Sequence, residues 1–236
     1  MTQITDHIAE IRERVRNAQL SGDFRDTDVT ILAVSKRQRV SAIRAAYDAG
    51  VRDFGENVVQ EATGKLEELQ SLDITWHFIG RIQSNKTRDI ARNFHWAHAV
   101  DRLKVATRLN DQRPHYCAPL NVCLQVNLAG EEQKSGVDES QLEALAHKVM
   151  SLPRLQLRGL MTLPPAAKNP EDNSQFFARL RGLKDSLSAA GIHMDTLSMG
   201  MSADFEVAIR QGSTIVRVGT AIFGIRPQSD ATSIAP

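Results

Sequence analysis

A lysine at the end of an apolar run is the residue of this chain best suited to covalent chemistry. Lys36 closes residues 29–36, a run rich in β-branched and aliphatic side chains that favours a β-strand. A lysine amine can form a Schiff base with a carbonyl group, and burial or a neighbouring cation makes such an amine more nucleophilic by lowering its pKa. Lys36 is therefore a candidate attachment point for an aldehyde.

Two glycine-bearing segments near the other end of the chain are suited to phosphate. Residues 198–202 contain Gly200, and residues 216–220 contain Gly219. Backbone N–H groups at glycine turns and at helix N-termini bind phosphate dianions. Pyridoxal 5′-phosphate (PLP) carries both an aldehyde and a phosphate ester, so it is the cofactor that matches a reactive lysine together with such a cradle.

An arginine interrupts the apolar run before Gly219. Arg217 stands among Ile215, Val216 and Val218, and a buried guanidinium stays charged and needs a partner. It either pairs with a carboxylate of the core or donates a hydrogen bond to a pyridine nitrogen. The second arrangement would keep that nitrogen unprotonated, because two positive centres would otherwise face each other. An uncharged pyridine is a poorer electron sink.

The rest of the chain alternates between strand and helix patterns, which defines the elements that must position these residues. An amphipathic helix is predicted over residues 3–19, and helical patterns then separate strand-like runs at 29–35, 51–55, 74–79, 95–100, 120–128, 155–163, 195–199 and 214–219. Eight strands in this rhythm require a parallel sheet, and eight strands close a barrel. A doubly wound open sheet is the alternative, but its Gly-x-Gly-x-x-Gly motif is absent after the first strand. We predict an α/β fold, a single (β/α)8 TIM barrel at 1–226, with an extra N-terminal helix and a flexible tail at 227–236.

The barrel prediction brings the candidate residues together, because function collects at the C-terminal ends of barrel strands. Val34 and Lys36 share one face of the first strand, so Lys36 reaches the barrel mouth if that face points inward. The loops after strands seven and eight often bind phosphate. In this chain those loops contain Gly200, Ser202, Gly219 and Thr220.

Three other polar residues at strand ends have two possible roles. Asn57, Asp101 and Ser202 each precede a helical pattern. Their side chains suit the N-cap position of a helix as well as they suit contact with a ligand.

The composition narrows the classes of partner. The 236 residues carry a formal net charge of +1, which argues against a dedicated nucleic-acid surface, and no apolar run approaches a membrane span. The N-terminus shows no apolar signal-peptide core. Cys117 and Cys123 lack metal-ligand spacing and are too few for a disulfide framework. We expect a cytoplasmic protein with reduced thiols, and no nucleic-acid, membrane or metal partner.

Short motifs across nearly the whole chain point to one family. They lie at residues 32–36, 54–57, 76–80, 83–86, 159–162, 197–202 and 216–220. In this order and spacing they resemble the pyridoxal phosphate homeostasis proteins, PLP-binding barrels related to the N-terminal domain of alanine racemase. The resemblance implies a Schiff base at Lys36 and phosphate contacts from Ser202, Gly219 and Thr220.

The resemblance also implies how the cofactor ring is held and what the protein does. It implies Arg217 near the pyridine nitrogen, Asn57 near the ring or its hydroxyl, and His77 and Met199 lining the pocket. The implied role is to bind and supply PLP and to keep B6 vitamers in balance, with no catalytic residue assigned. PLP-requiring apoenzymes are the expected recipients, and a monomer is expected.

A PLP-dependent amino-acid racemase is the alternative function. A two-base racemase needs an acid or base on each face of the substrate, and Lys36 supplies only one. In alanine racemase the second is a tyrosine from a separate C-terminal domain, and we expect no such domain here. Tyr47 and Tyr116 fall away from the strand ends, which leaves His77 as a substitute. An open cofactor face suits transfer, so we favour the carrier.

Two further possibilities stay open at the level of sequence. The barrel would bind a different phosphate ester if Lys36 acted only through its charge. Lys134, in the polar loop 129–136, is either a solvated charge or a second contact with PLP.

Overall fold

Eight parallel strands close into a barrel in the computed structural model, which describes residues 2–130 and 135–224. The strands, in chain order, are β1 (Thr30–Val34), β2 (Asp53–Glu56), β3 (Thr75–Phe78), β4 (Trp96–Val100), β5 (Leu120–Gln125), β6 (Leu155–Met161), β7 (Thr196–Met201) and β8 (Ile215–Val218). Each strand pairs with its neighbour in sequence, and β8 pairs with β1. The predicted barrel is therefore confirmed. The predicted tail at 227–236 and Lys134 lie outside the described residues.

Helices surround the barrel. They are α1 (Thr2–Leu20), α2 (Val40–Asp48), α3 (Val59–Glu68), α4 (Thr87–Asn93), α5 (Leu103–Gln112), α6 (Glu139–Met150), α7 (Ser174–Ala189), α8 (Phe205–Arg210) and α9 (Thr220–Phe223), with a 3₁₀ turn at Pro170–Asn173. The predicted leading helix is confirmed. Helix α1 packs against α2, α8 and α9, and so covers the surface between the last and first helices of the ring. None of the helices in the described part of the chain is long and apolar enough to cross a bilayer.

The two faces of β1 show how the sheet divides the core. Ala33 packs outward among the helices, in one cluster with Phe54 and Ile43. Leu32 and Val34 face the interior, where Leu32 lies beside Gly55 of β2 and Val34 lies beside Gly219, directly after β8. This alternation follows from the period of two of a strand, and it directs the next even residue toward the barrel mouth.

The interior of this barrel is more polar than the interior of most TIM barrels. Branched aliphatic side chains dominate most interiors of this fold. Here His77, His98, Ser198 and Arg217 are at most 4% exposed. Buried polar groups of this kind need hydrogen-bond partners, and these residues find them in one another.

Candidate functional site

A cavity of about 520 Å³ opens at the C-terminal ends of the strands. It brings together six of the eight residues proposed from the sequence, namely Lys36, Asn57, Ser202, Arg217, Gly219 and Thr220. They converge because parallel strands end at the same rim of the barrel. In the described part of the chain, no cluster of histidine, cysteine or acidic side chains is arranged to hold a metal ion.

The backbone before Lys36 is held by a buried ammonium group from α3. Lys65 Nζ donates to the carbonyl oxygen of Ser35 at 2.8 Å. The same ammonium binds Glu56 Oε1 at 2.8 Å and Glu61 Oε1 at 2.6 Å. One cation therefore ties the end of β1 to both β2 and α3.

The backbone after Lys36 is held by the same network. Arg37 has a φ of +61°, a left-handed conformation that costs a side-chain-bearing residue about 1 kcal/mol. Its N–H donates to the Glu61 carboxylate. Lys36, half-buried between two anchored neighbours, leaves the sheet in a direction that the network determines.

The carboxylate at the centre of this network stands behind the cavity and not within it. Glu56 is fully buried, and its burial raises the pKa of its carboxyl, while hydrogen bonds from Lys65 and Ser35 act in the opposite direction. The Ser35 hydroxyl donates to Glu56 Oε1 at 2.6 Å. Ser35 and Lys36 point to opposite faces of the chain, so this negative charge is kept away from the side of the sheet that faces the cavity.

The loops after β7 and β8 are joined by a hydrogen bond. Gly219 N–H donates to Ser202 Oγ at 3.2 Å. Gly200 has a φ of +91°, and a Cβ there would lie 2.6 Å from the Ala208 Cβ, so only glycine fits. Thr220 begins the short helix α9, whose first N–H groups have no intrahelical partner. The arrangement provides a hydroxyl and backbone donors on one side of the cavity.

The Arg217 guanidinium forms the floor of the cavity. Its Nη1 donates to Ser198 O and Ser198 Oγ, both at 2.7 Å, and its Nη2 donates to Thr162 O at 2.9 Å. Among the described residues no carboxylate forms an ion pair with it, which leaves the first of the two interpretations from the sequence without support. Burial lowers its pKa to about 10, so it remains a cation at neutral pH.

Comparison with known proteins identifies the family. Residues 7–227 match the family model of the alanine racemase N-terminal domain. A pyridoxal phosphate homeostasis protein of Pseudomonas aeruginosa is 52% identical over 226 residues, covering 96% of this chain and 97% of that protein. One from Escherichia coli K12 is 47% identical over 236 residues, with 97% and 99% covered. The chain belongs to the pyridoxal phosphate homeostasis protein family.

A solved structure is similar to this chain over nearly all of its length. The structure of PipY from Synechococcus elongatus PCC7942 with PLP bound has a TM-score of 0.83 and 37% identity to this chain. It covers 94% of this chain and 100% of its own. The likeness therefore extends over the barrel as a whole.

Two residues that the family resemblance placed in the pocket lie elsewhere in this family member. His77 is buried in the barrel interior between Asp53 and His98. Met199 is fully buried in the outer core, because it alternates with the inward-facing Ser198. A register irregularity between residues 198 and 201 of β7 then turns Met201 toward the cavity in its place.

Asn57, Asp101 and Ser202, which suited the N-cap position of a helix, do not occupy that position in the structure. The N-cap positions of α3, α5 and α8 are occupied by Val58, Arg102 and Asp204. Asn57 lines the cavity, and its backbone packs so closely on Gly80 that a Cβ there would lie 2.4 Å from the Asn57 oxygen. Asp101 pairs instead with the neighbouring Arg102 at 2.5 Å.

Sequence reasoning missed the network around Lys65. The single local signal is the spacing of four between Glu61 and Lys65, which is typical of a helical ion pair. The contacts of Lys65 with Ser35 and Glu56 join separate elements, so only the folded chain reveals them.

Proposed function

We propose that this chain binds PLP in the cavity at the barrel mouth and takes part in vitamin B6 homeostasis. The observation that carries the proposal is the convergence of Lys36, Arg217 and the joined loops of β7 and β8 on one cavity. A volume of about 520 Å³ is in the range of small-molecule sites. Family membership supports the same conclusion.

The donor set of the cavity fits the separate parts of the cofactor. When bound, PLP supplies an aldehyde that condenses with a lysine amine. Lys36 presents the amine, and Ser202 and Thr220 present donors for the phosphate. The Gly219 N–H donates to Ser202 Oγ in this structure and would exchange that bond for one to the phosphate. A side chain at 219 would approach Val34 at 3.4 Å and fill space beside the loop. The absence of a Cβ at this position leaves room for a phosphate to approach the backbone.

Arg217 and Asn57 hold the ring in this proposal. Arg217 is a buried cation that donates to the carbonyl oxygens of Ser198 and Thr162, and it lines the cavity. Set beside the pyridine nitrogen, it disfavours protonation there, because two positive centres would meet in a site of low polarity. Asn57 offers an amide to the ring or to its hydroxyl. The electron-withdrawing power of the ring stays low as a result.

The lining of the cavity favours a carrier over a racemase. Racemisation by two bases requires a proton donor or acceptor opposite Lys36. Among the described residues that line the cavity there is no histidine, tyrosine, cysteine or carboxylate. His77, the substitute considered from the sequence, is 1% exposed and lies in the interior. We therefore propose that the protein holds and releases PLP without a catalytic turnover of its own.

The absorbance spectrum of the protein with added PLP tests the binding proposal. We expect a band at longer wavelength than that of free PLP, and borohydride should fix the cofactor on the peptide that contains Lys36. The Lys36→Ala variant should lose this covalent link. Lys104→Ala, on the exposed side of α5, is the matched control and should retain it. Absence of the band in the unmodified protein would refute the proposal.

Turnover measurements separate the two functions. We expect no racemisation of common amino acids above the rate with free PLP. Robust racemisation that Lys36→Ala abolishes would instead establish the racemase.

We extend the proposal to partners and location. Other B6 vitamers and PLP-requiring apoenzymes are the proposed partners, and the open mouth of the cavity supports an exchange of amines. A functional monomer is part of the same proposal. Cys117 and Cys123 are free thiols, as is usual in the cytoplasm. Sedimentation of the loaded protein tests the monomer, and activation of an apoenzyme in the presence of a trap for free aldehyde tests direct transfer.

A further inference from the structure

A line of hydrogen bonds crosses the barrel interior and ends on Arg217. Asp53 Oδ1 lies 2.9 Å from His77 Nε2, and His77 Nδ1 lies 2.9 Å from His98 Nε2. His98 Nδ1 lies 2.8 Å from Ser198 Oγ, which accepts from Arg217 at 2.7 Å. We name Asp53, His77, His98 and Ser198 the interior relay. None of the four lines the cofactor cavity, so the proposed binding site leaves them without a role.

The end groups of the interior relay fix the direction of its hydrogen bonds. Asp53 reaches solvent at the far end of the barrel, where a carboxylate only accepts, so His77 carries its proton on Nε2. His77 Nδ1 is then an acceptor, and it requires the Nε2 proton of His98. His98 Nδ1 in turn requires the hydroxyl proton of Ser198. Each bond has one donor, and both imidazoles are neutral.

The surroundings favour this protonation state and fix the rings. Complete burial lowers the pKa of His77, and it lowers the pKa of His98 well below the ordinary value. The Trp96 ring stacks on His77 with centroids 5.4 Å apart and an angle of 9° between the planes. His98 and Ser198 stand on β4 and β7, so the interior relay also connects distant parts of the barrel.

This direction has a consequence for Arg217. The Ser198 oxygen that accepts from Arg217 donates its own proton into a chain that ends on a carboxylate. Hydrogen bonds in such a chain polarise one another, so this oxygen becomes a stronger acceptor for the guanidinium than an isolated hydroxyl. Arg217 is therefore bound more tightly on the side that faces away from the cavity.

We propose that Asp53, His77, His98 and Ser198 are positioning residues that hold the Arg217 guanidinium in the orientation in which it meets the ring nitrogen of PLP. The part that concerns PLP rests on the proposed function. The direction of the interior relay does not depend on it, so the two can fail separately.

The direction is tested in the ligand-free protein by long-range ¹H–¹⁵N correlation spectra of the imidazoles. At neutral pH we expect His77 and His98 both to be neutral with the proton on Nε2. Asp53→Asn keeps the shape of the side chain but offers a donor as well as an acceptor, so His77 should become a mixture of tautomers. A proton on Nδ1 of either histidine in the unmodified protein would overturn the inference.

The effect on Arg217 is tested by a double-mutant cycle with PLP affinity as the readout. Ser198→Ala should weaken PLP binding about tenfold and move the absorbance band of the bound cofactor, because Arg217 loses a charge-assisted partner. In the Arg217→Gln background the same substitution should change the affinity less than about twofold. Ser186→Ala, an exposed serine of α7, is the control and should change neither quantity.

The outcomes of this cycle are distinct. An equal loss with and without Arg217 would show that Ser198 does not act through it, which overturns the inference. Failure of the unmodified protein to bind PLP would overturn the proposed function, while the tautomers would still decide the direction of the interior relay.

Discussion

The ammonium of Lys65 lies 2.8 Å from the carbonyl oxygen of Ser35, the residue directly before Lys36. A second lysine thus positions the first without lining the same cavity. The positive charge of Lys65 is offset by Glu56 and Glu61, so the ammonium is an anchor and not a competitor for an aldehyde. The separation of an anchoring lysine from a reactive one has measurable consequences.

Lys65→Met should destabilise the fold strongly. The substitution leaves Glu56 buried beside an apolar chain and releases the carbonyl of Ser35. Removal of one partner from a buried ion pair costs about 3–5 kcal/mol. Urea unfolding followed by circular dichroism measures the loss. Lys104→Met on the exposed surface of α5 should change the free energy of unfolding by less than about 0.5 kcal/mol, and an equal loss in both variants would contradict the role of the network.

The contribution of Glu56 to the free energy of unfolding should decrease as pH rises. Burial raises its pKa in the folded protein above the ordinary 4.5, so the protonated form is favoured by folding. This contribution is complete below pH 4.5 and is lost as pH rises through the raised value. The unfolding free energy of the protein minus that of Glu56→Gln should therefore decrease from acid toward neutral pH. A difference that stays flat or increases would exclude the raised pKa.

The interior histidines should make the unfolding free energy rise with pH, which is opposite to the effect of Glu56, and should do so at higher pH values. The folded pKa of His98 lies well below the ordinary 6.5, so the unfolded chain binds the proton first. This stability is complete above pH 6.5 and is lost as pH falls, with a slope of up to about 1.4 kcal/mol per pH unit for one histidine. Unfolding of His98→Gln at a series of pH values measures the part due to His98. An unchanged slope in the variant would show that folding does not lower the pKa of His98.

Two glycines should respond to alanine with opposite signs. Gly200→Ala places a Cβ 2.6 Å from Ala208 at a φ of +91°, and we expect a loss of more than about 1 kcal/mol of stability together with weaker PLP binding. Gly182 lies within α7 with open space around it, so Gly182→Ala should raise stability by about 0.5–1 kcal/mol and leave binding unchanged. Thermal unfolding and PLP titration of both variants check this pair. Stabilisation by Gly200→Ala would contradict the left-handed conformation of this residue near the end of β7.

Sequence patterns were sufficient to predict the strands and helices of the fold and the residues at the rim of the barrel. The period of strands and helices predicted β1 to β8, and it placed Val34 and Lys36 on one face of β1, because both depend on local alternation. It did not decide which face of β1 points inward. The resemblance put Met199 in the pocket, whereas alternation with the inward-facing Ser198 puts it in the outer core. The turn of Met201 toward the cavity depends on the irregularity in β7, which no local pattern announces. The contact between His98 and Ser198 spans 100 residues of sequence, and a histidine in an apolar run does not reveal its partner.

The position of α1 has a consequence for the order of folding. This first helix packs on α8 and α9, and His7 Nδ1 lies 2.9 Å from the carbonyl oxygen of Ile222. During synthesis the ribosome completes α1 long before either of its partners exists, and β1 must likewise wait for β8. The loops proposed to bind phosphate therefore assemble only when the two ends of the chain meet. A nascent chain that stalls before β8 has no cavity to offer the cofactor.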